Sequence, residues 1–222
     1  MTGVLSGHEG TAAKDLEELI DGEVVIAVGV PQGVNVQEDD PDSFNQRLVR
    51  IGDDFVPLFD DAWHVWVSAL APMSRAELST LASAEAGQRS TDELLAYLFE
   101  AGLLAAFTPG SSWLSWSKRL RVLPMAVGLG NSRENLATYV IQGWNSDKTL
   151  SVNAFSYWNW LSWNGTAPIF DGAQGVATQL EVPLDTILEH ARILLLACLI
   201  AGFVFVDSEP VGIEAPSEQH VP

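Results

Sequence analysis

The chain of 222 residues has one cysteine, Cys198, so it has neither a disulfide framework nor a cysteine-rich zinc site. Basic residues are scarce too: 11 lysines and arginines face 29 aspartates and glutamates, a formal charge of −18. Binding to DNA or RNA starts with neutralising phosphates, so nucleic acid is not an expected unaided partner. The four histidines, His8, His64, His190 and His220, are far apart and show no metal-ligand spacing. Long apolar runs are also missing. The most apolar stretch, residues 193–206, falls short of the roughly 20 residues that cross a bilayer as a helix, and it predicts a buried helix leading into a buried strand. The first twenty residues lack the basic start and apolar centre of a signal peptide, which makes the expected location cytoplasmic.

Catalytic signatures are equally thin. Neither a nucleophile elbow nor a P-loop occurs, and Gly128-Leu-Gly130 lacks the third glycine of a dinucleotide fingerprint. Glu189-His190 is explained by a solvated helix face more readily than by acid–base chemistry. The acidic run 38–42 lacks the glycine and distal glutamate of a calcium loop. Asn164-Gly-Thr reads as a turn, and Cys198 as a small core hydrophobe. No catalytic residue, metal or cofactor is expected, and the protein reads as non-enzymatic.

Against these absences, 47% hydrophobic and 18% charged residues supply a packed core. An internal repeat organises it. VVIAVGV at 24–30 matches VLPMAVGL at 122–129, with Ala-Val-Gly beginning at 27 and at 126. WHVWVSALAP at 63–72 matches WLSWNGTAP at 160–168, and FEAGLL at 99–104 matches LIAGFV at 199–204, with glycines at 102 and 202. Three collinear matches predict a tandem duplication. The expected organisation is an N-terminal arm (1–23), a first domain (24–107), a linker (108–121), a second domain (122–207) and a disordered tail (208–222).

Each half reads as strands, three helices and a short strand. In the first half the strands are 24–30, 48–51 and 55–58, and PQG and the acidic run supply the loops. Asp60 or Asp61 is expected to cap the tryptophan helix, Ser74 with Glu77 to form a capping box, and Thr91 to cap the third helix, which Gly102 stops. In the second half, strands at 122–129, 136–141 and 150–152 precede helices capped by Asn153, Asp171 and Asp185.

Trp63 and Trp66 sit on a helix face that must pack inward. Trp113, Trp116, Trp158, Trp160 and Trp163 exceed what one helix face can bury, and are expected either between the halves or at a partner surface. The strand Leu48, Val49, Arg50 and Ile51 follows an acidic loop, and is expected to be an open sheet edge able to accept a peptide strand.

LVRIGDDFVPLFDDAWHVW at 48–66, MSRAEL at 73–78 and DELLAYLFEAGLL at 92–104 resemble the winged helix-turn-helix class, and within it PqqD-like peptide-recognition domains. The resemblance covers about 60 residues of the first half and implies a domain that holds an extended peptide beside its own sheet. The expected fold class is therefore α+β, two tandem winged helix-turn-helix-like domains. The expected function is non-enzymatic protein or peptide binding, through Leu48, Val49, Arg50, Ile51, Trp158 and Trp163. The expected partner is a protein or peptide, a basic one among the candidates, with no membrane involved. The alternatives are an acidic DNA-mimicking inhibitor and a transcriptional regulator. Residues 1–107 carry a net −14 and residues 108–222 a net −4, which disfavours a recognition helix entering a DNA groove.

Overall fold

The computed structural model describes residues 12–34, 47–87, 89–131 and 135–208. The acidic run 38–42, His8, His220 and the chain beyond Ser208 lie outside the described residues. The fold is α+β with small antiparallel sheets. Helix α1 (Ala12–Asp21) falls in the expected arm and buries Leu19. Strand β1 (Val24–Ala27) is VVIA and wholly buried. A meander follows, made of β2 (Val30–Val34), β3 (Arg47–Ile51) and β4 (Asp54–Leu58), then α2 (Asp60–Ser68), β5 (Met73–Ser74), α3 (Arg75–Glu85), α4 (Thr91–Glu100) and β6 (Leu104–Phe107). Helix α5 (Ser111–Ser117) leads to β7 (Leu120–Pro124), a second meander of β8 (Ala126–Asn131), β9 (Tyr139–Gly143) and β10 (Thr149–Val152), helices α6 (Ala154–Ser162), α7 (Ile169–Leu180) and α8 (Leu184–Ala201), and β11 (Val204–Ser208). Among the described residues no helix is long and apolar enough to cross a membrane; the apolar stretch 193–206 ends α8 and forms the start of β11.

The order of elements in the first half recurs in the second, except for the two-residue β5. The last strand of each half pairs with its first, β6 with β1 and β11 with β7. Both third helices end in the same way. The Gly102 N–H donates to the Phe99 carbonyl and the Leu103 N–H to Leu98, while the Gly202 N–H donates to Leu199 and the Phe203 N–H to Cys198. Both glycines have positive φ, 70° and 74°, the left-handed conformation this helix stop requires and that glycine adopts without a Cβ clash. The chain then returns to the first strand through one further bond, Val28 N–H to Leu103 carbonyl (2.8 Å) and Met125 N–H to Phe203 carbonyl (2.7 Å). Each meander carries a bulge at the same place, between Pro31 and Gly33 and between Gly128 and Gly130.

Strand bounds and helix positions put two of the three sequence matches out of register. Ala27 closes β1, whereas Ala126 opens β8. Trp160 has Trp66, not Trp63, as its counterpart, since each is the seventh residue of its helix and each is buried. Only the glycine pair 102/202 is in step. The expected strand 122–129 is two strands, broken at Met125, where the chain passes from one sheet to the next.

Capping follows expectation in part. Ser74 and Glu77 form the reciprocal box, and Asn153 accepts the Ser156 N–H at 2.9 Å. For α4 the cap is Ser90, with Glu93 completing a second box, and Thr91 is already helical. Phe59, Pro168 and Pro183 precede α2, α7 and α8 without side-chain caps, and the aspartates at 60, 61, 171 and 185 lie in the first turns, favourable to the helix dipole.

The stretch expected as a linker is instead built into the structure. Trp113 of α5 is buried and its indole N–H donates to the Leu188 carbonyl of α8 (3.0 Å), while the Trp116 N–H donates to Ala106 of β6 (2.8 Å). One buried cluster runs through both halves, from Val24 and Trp66 to Leu195 and Val206. Ser208, expected in the tail, is the buried last residue of β11.

Candidate functional site

The expected peptide-accepting edge is not an edge. Leu48, Val49, Arg50 and Ile51 lie in β3, the middle strand of β2-β3-β4, hydrogen-bonded on both sides. The neighbour that covers it, β2, has the sequence VPQGV, whose proline and glycine read as a loop. The bulge between Pro31 and Gly33 lets that segment pair all the same. Val49 and Ile51 are buried. The Arg50 guanidinium is 3.2 Å from Asp207 Oδ2, and the Gly52 N–H donates to Asp207 Oδ1 at 2.8 Å. The Gly29 N–H donates to the Val206 carbonyl at 2.7 Å. Strand β11 of the second half thus lies against this part of the first.

The two tryptophans expected at a partner surface are largely packed. Trp163 is buried, with its ring centroid 6.0 Å from that of Trp160, and its indole N–H has no hydrogen-bond partner among the described residues. Trp158 is half-buried beside the small cluster of Ala173, Val176 and Ile187. One tryptophan is strongly exposed, and it is Trp144, at the β9–β10 turn.

Trp144 belongs to a surface that the first half does not share. The bonds from Val28 and Met125 set the correspondence, and the strand registers extend it: Val30 faces Arg50 as Val127 faces Gln142, and position 52 answers to 144. Val28 is fully buried, and Met125 is 47% exposed. Gly52 is buried under Asp207, whereas Trp144 is 65% exposed. At the bulge, Gln32 of the first half becomes Leu129, 56% exposed. Arg50, which holds the carboxylate, becomes Gln142. Three of these differences put an apolar side chain on an open surface, and the fourth replaces a charged group with the half-buried Gln142, whose amide donates to the Ser146 carbonyl at 3.0 Å.

Strands β8, β9 and β10 read AVGLGN, YVIQG and TLSV, with no charged residue, whereas the first meander carries Arg47, Arg50 and Asp54. Depletion of charge together with exposed Met, Leu and Trp is the composition of an interface centre. The backing of this sheet is firm. Ile141 is buried, Gly128 lies against the Tyr157 ring with no room for a Cβ, and Tyr139 stacks on Tyr157 at 4.6 Å. The signal in the sequence was the absence of any charged residue from 149 to 170, together with 135–146, around an isolated tryptophan in a turn.

Other polar groups are held locally, except that Arg192 Nη1 and Asn159 Oδ1 are buried with no hydrogen-bond partner among the described residues. His64 Nδ1 is 2.9 Å from Glu85, and Glu189 holds Arg192 through two hydrogen bonds of 3.0 and 2.6 Å. Burial holds His190 below the ordinary histidine range, and its ring lies 5.2 Å from that of Phe155. Burial also pushes the Cys198 thiol far up. Among the described residues no group of three potential metal ligands occurs. A cleft of 570 Å³ lies between α1 and the start of α3, where Arg75 pairs with Glu23 and the Ser74–Glu77 box occupies the helix end. Compared with known proteins, the chain matches no family model and no curated protein.

Proposed function

We propose that the protein is a non-enzymatic protein-binding protein made of two tandem copies of one α+β module, and that it binds through the open sheet face of the second copy. The observation that carries this reading is the pair of equivalent positions 52 and 144: a buried glycine under Asp207 in one half, an exposed tryptophan in the other. Helices α3 and α4 of the first module, joined by a short turn, are the part that supports a winged-helix or PqqD-like kinship. A peptide added as a strand has to use an outer strand of a meander, in the second half β8 or β10, because β3 is closed on both sides. Met125, Val127, Leu129 and Trp144 supply the apolar contacts, with Gln142 as a polar anchor.

The test is photocrosslinking in cell extract with a photoreactive phenylalanine analogue in place of Trp144, and separately in place of Phe55 and Phe59, which are exposed on the first half at 57% and 49%. Crosslinks to protein from position 144 and none from 55 or 59 are expected. The reverse pattern would overturn the reading.

The −14 carried by residues 1–107 favours a second reading, in which the first module imitates nucleic acid toward a basic protein. A basic protein crosslinked from positions 55 or 59, and released by high salt, would select it. In either reading the protein leaves random duplex DNA unshifted in a gel at low salt.

A further inference from the structure

Resting on the reading that the second module's sheet face binds protein, we infer that the occupant is a second copy of this chain, docked face to face about a two-fold axis. In such an isologous contact each residue meets its own symmetry mate or a near neighbour of it, so any charge close to the axis meets a like charge. A face used in this way has to be uncharged at its centre. The β8–β9–β10 face meets that requirement, having no charged residue on its three strands in a chain that carries a net −18.

The position of the face within the molecule points the same way. Two copies of so acidic a chain repel each other, and repulsion is least when they approach through the half with the smaller charge. The face lies in residues 108–222, net −4, not in residues 1–107, net −14. A basic partner would find its attraction on the other half; here the strands are neutral, and the exposed Asp147 and Lys148 of the β9–β10 turn offset each other in charge.

The chain also shows the module's own habit. In the first half, the corresponding region is covered by another module: β11 lies against it through Val206 and Asp207. The second half has lost the groups that hold that acidic strand, since Gln142 stands for Arg50 and Trp144 for Gly52. It therefore does not take a further β11 in head-to-tail fashion, which would build an open filament, and apolar self-contact closes the assembly at two. The chain's own terminus is a poor occupant. It leaves the described fold at Ser208, opposite Leu120 and so at the far end of β7 from Met125, and residues 209–222 add Glu209, Glu214 and Glu218 without a lysine or arginine.

Sedimentation velocity of the full chain at rising concentration and at two salt levels tests the inference. The expected species has twice the 24.0 kDa chain mass. Its dissociation constant should fall as salt rises from 20 to 500 mM, because salt screens the repulsion between copies and leaves the apolar contact intact. A dimer held by ion pairs would weaken instead, and that result overturns the proposal. Trp144→Ser, counted once on each side, should raise the dissociation constant by roughly a hundredfold. Phe55→Ser should leave it unchanged. Leu129→Ser gives a second reading should Trp144→Ser misfold. A wild-type chain that stays monomeric at 100 μM overturns the second copy as occupant. If position 144 then still crosslinks to a different protein, the binding face stands and only its occupant is wrong; if it crosslinks to nothing, both fail.

Discussion

The two halves of this molecule share an order of elements and a set of hydrogen bonds, yet equivalent positions of one sheet are covered in the first and open in the second. In the first half that face is an internal joint: Gly52, Arg50 and Gly29 receive Asp207 and Val206 from strand β11. In the second half it is open, and Met125, Leu129 and Trp144 stand where Val28, Gln32 and Gly52 stand in the first. Val28 and Gln32 neither close a helix nor make a turn, so the frame tolerates their replacement; Gly52 takes a positive φ of 57° in the two-residue turn between β3 and β4, and Trp144 is accommodated because the β9–β10 turn is longer. The glycines at 102 and 202, which do end helices, are the same in both. The comparison therefore separates the residues that the two halves share from those that decide whether this part of the sheet is covered within the chain.

The largest expected effect tests the shared frame. Trp66 and Trp160 occupy the seventh place of their helices, both buried, and Trp66 also donates its indole N–H to the Val28 carbonyl at 3.0 Å. Replacing either by alanine should cost about 4 kcal/mol in urea unfolding through the cavity left behind. A cost near zero at Trp160 would show that the two helices are not equivalent. Next comes the joint itself. Asp207→Ala leaves the buried Gly52 N–H without an acceptor and Arg50 without its carboxylate, and should cost about 3 kcal/mol. Trp144→Ala, at the equivalent place in the other half, should change the stability of the chain by less than about 0.5 kcal/mol, since the ring is exposed. Equal losses at the two sites would end the comparison.

Smaller effects sharpen it. Ser74→Ala removes a capping box whose counterpart is missing in the second half, where Pro168 precedes α7, and should cost about 1 kcal/mol. The backbone and hydroxyl bonds from Ser74 hold the Glu77 carboxyl below its usual range. Its contribution is thus present above the unfolded pKa of 4.5 and is lost as pH falls through the lower folded value. His190 shifts down for a different reason, burial of the imidazole. The folded state binds that proton less well than the unfolded chain does. Stability should therefore begin to fall as pH drops below the unfolded value of 6.5, and His190→Gln should flatten the profile between pH 6.5 and 5. A wild-type profile already flat across that window would contradict the burial.

The sequence disclosed the parts of this fold that local chemistry dictates. Ser74-x-x-Glu77, Asn153, the glycine stops and the apolar run 193–206 each impose one structure on a few residues, and each was readable. Ser90 was missed as a cap because Thr91 beside it has the same chemistry, and only the helix phase distinguishes them. The recurring letters do not carry the correspondence of the halves: Ala-Val-Gly and Trp-x-x-Trp recur in the sequence, while strand register and helix position set other residues against each other. The site was legible least of all. Arg50 and its neighbours looked like an edge because Pro31 and Gly33 disguised β2 as a loop. Trp144 drew no notice because a lone aromatic in a turn has no periodicity to mark it. Its exposure follows from what fails to cover it, a tertiary fact.

The account's central claim, that the second module's open face is where two copies of this chain meet, is tested most directly by hydroxyl-radical footprinting of the full chain at low and at high protein concentration. The account predicts that Met125, Leu129 and Trp144 lose reactivity together as concentration rises, while Phe55 and Phe59 keep theirs. Unchanged oxidation at 125, 129 and 144, or protection that appears at Phe55 and Phe59 instead, would contradict it.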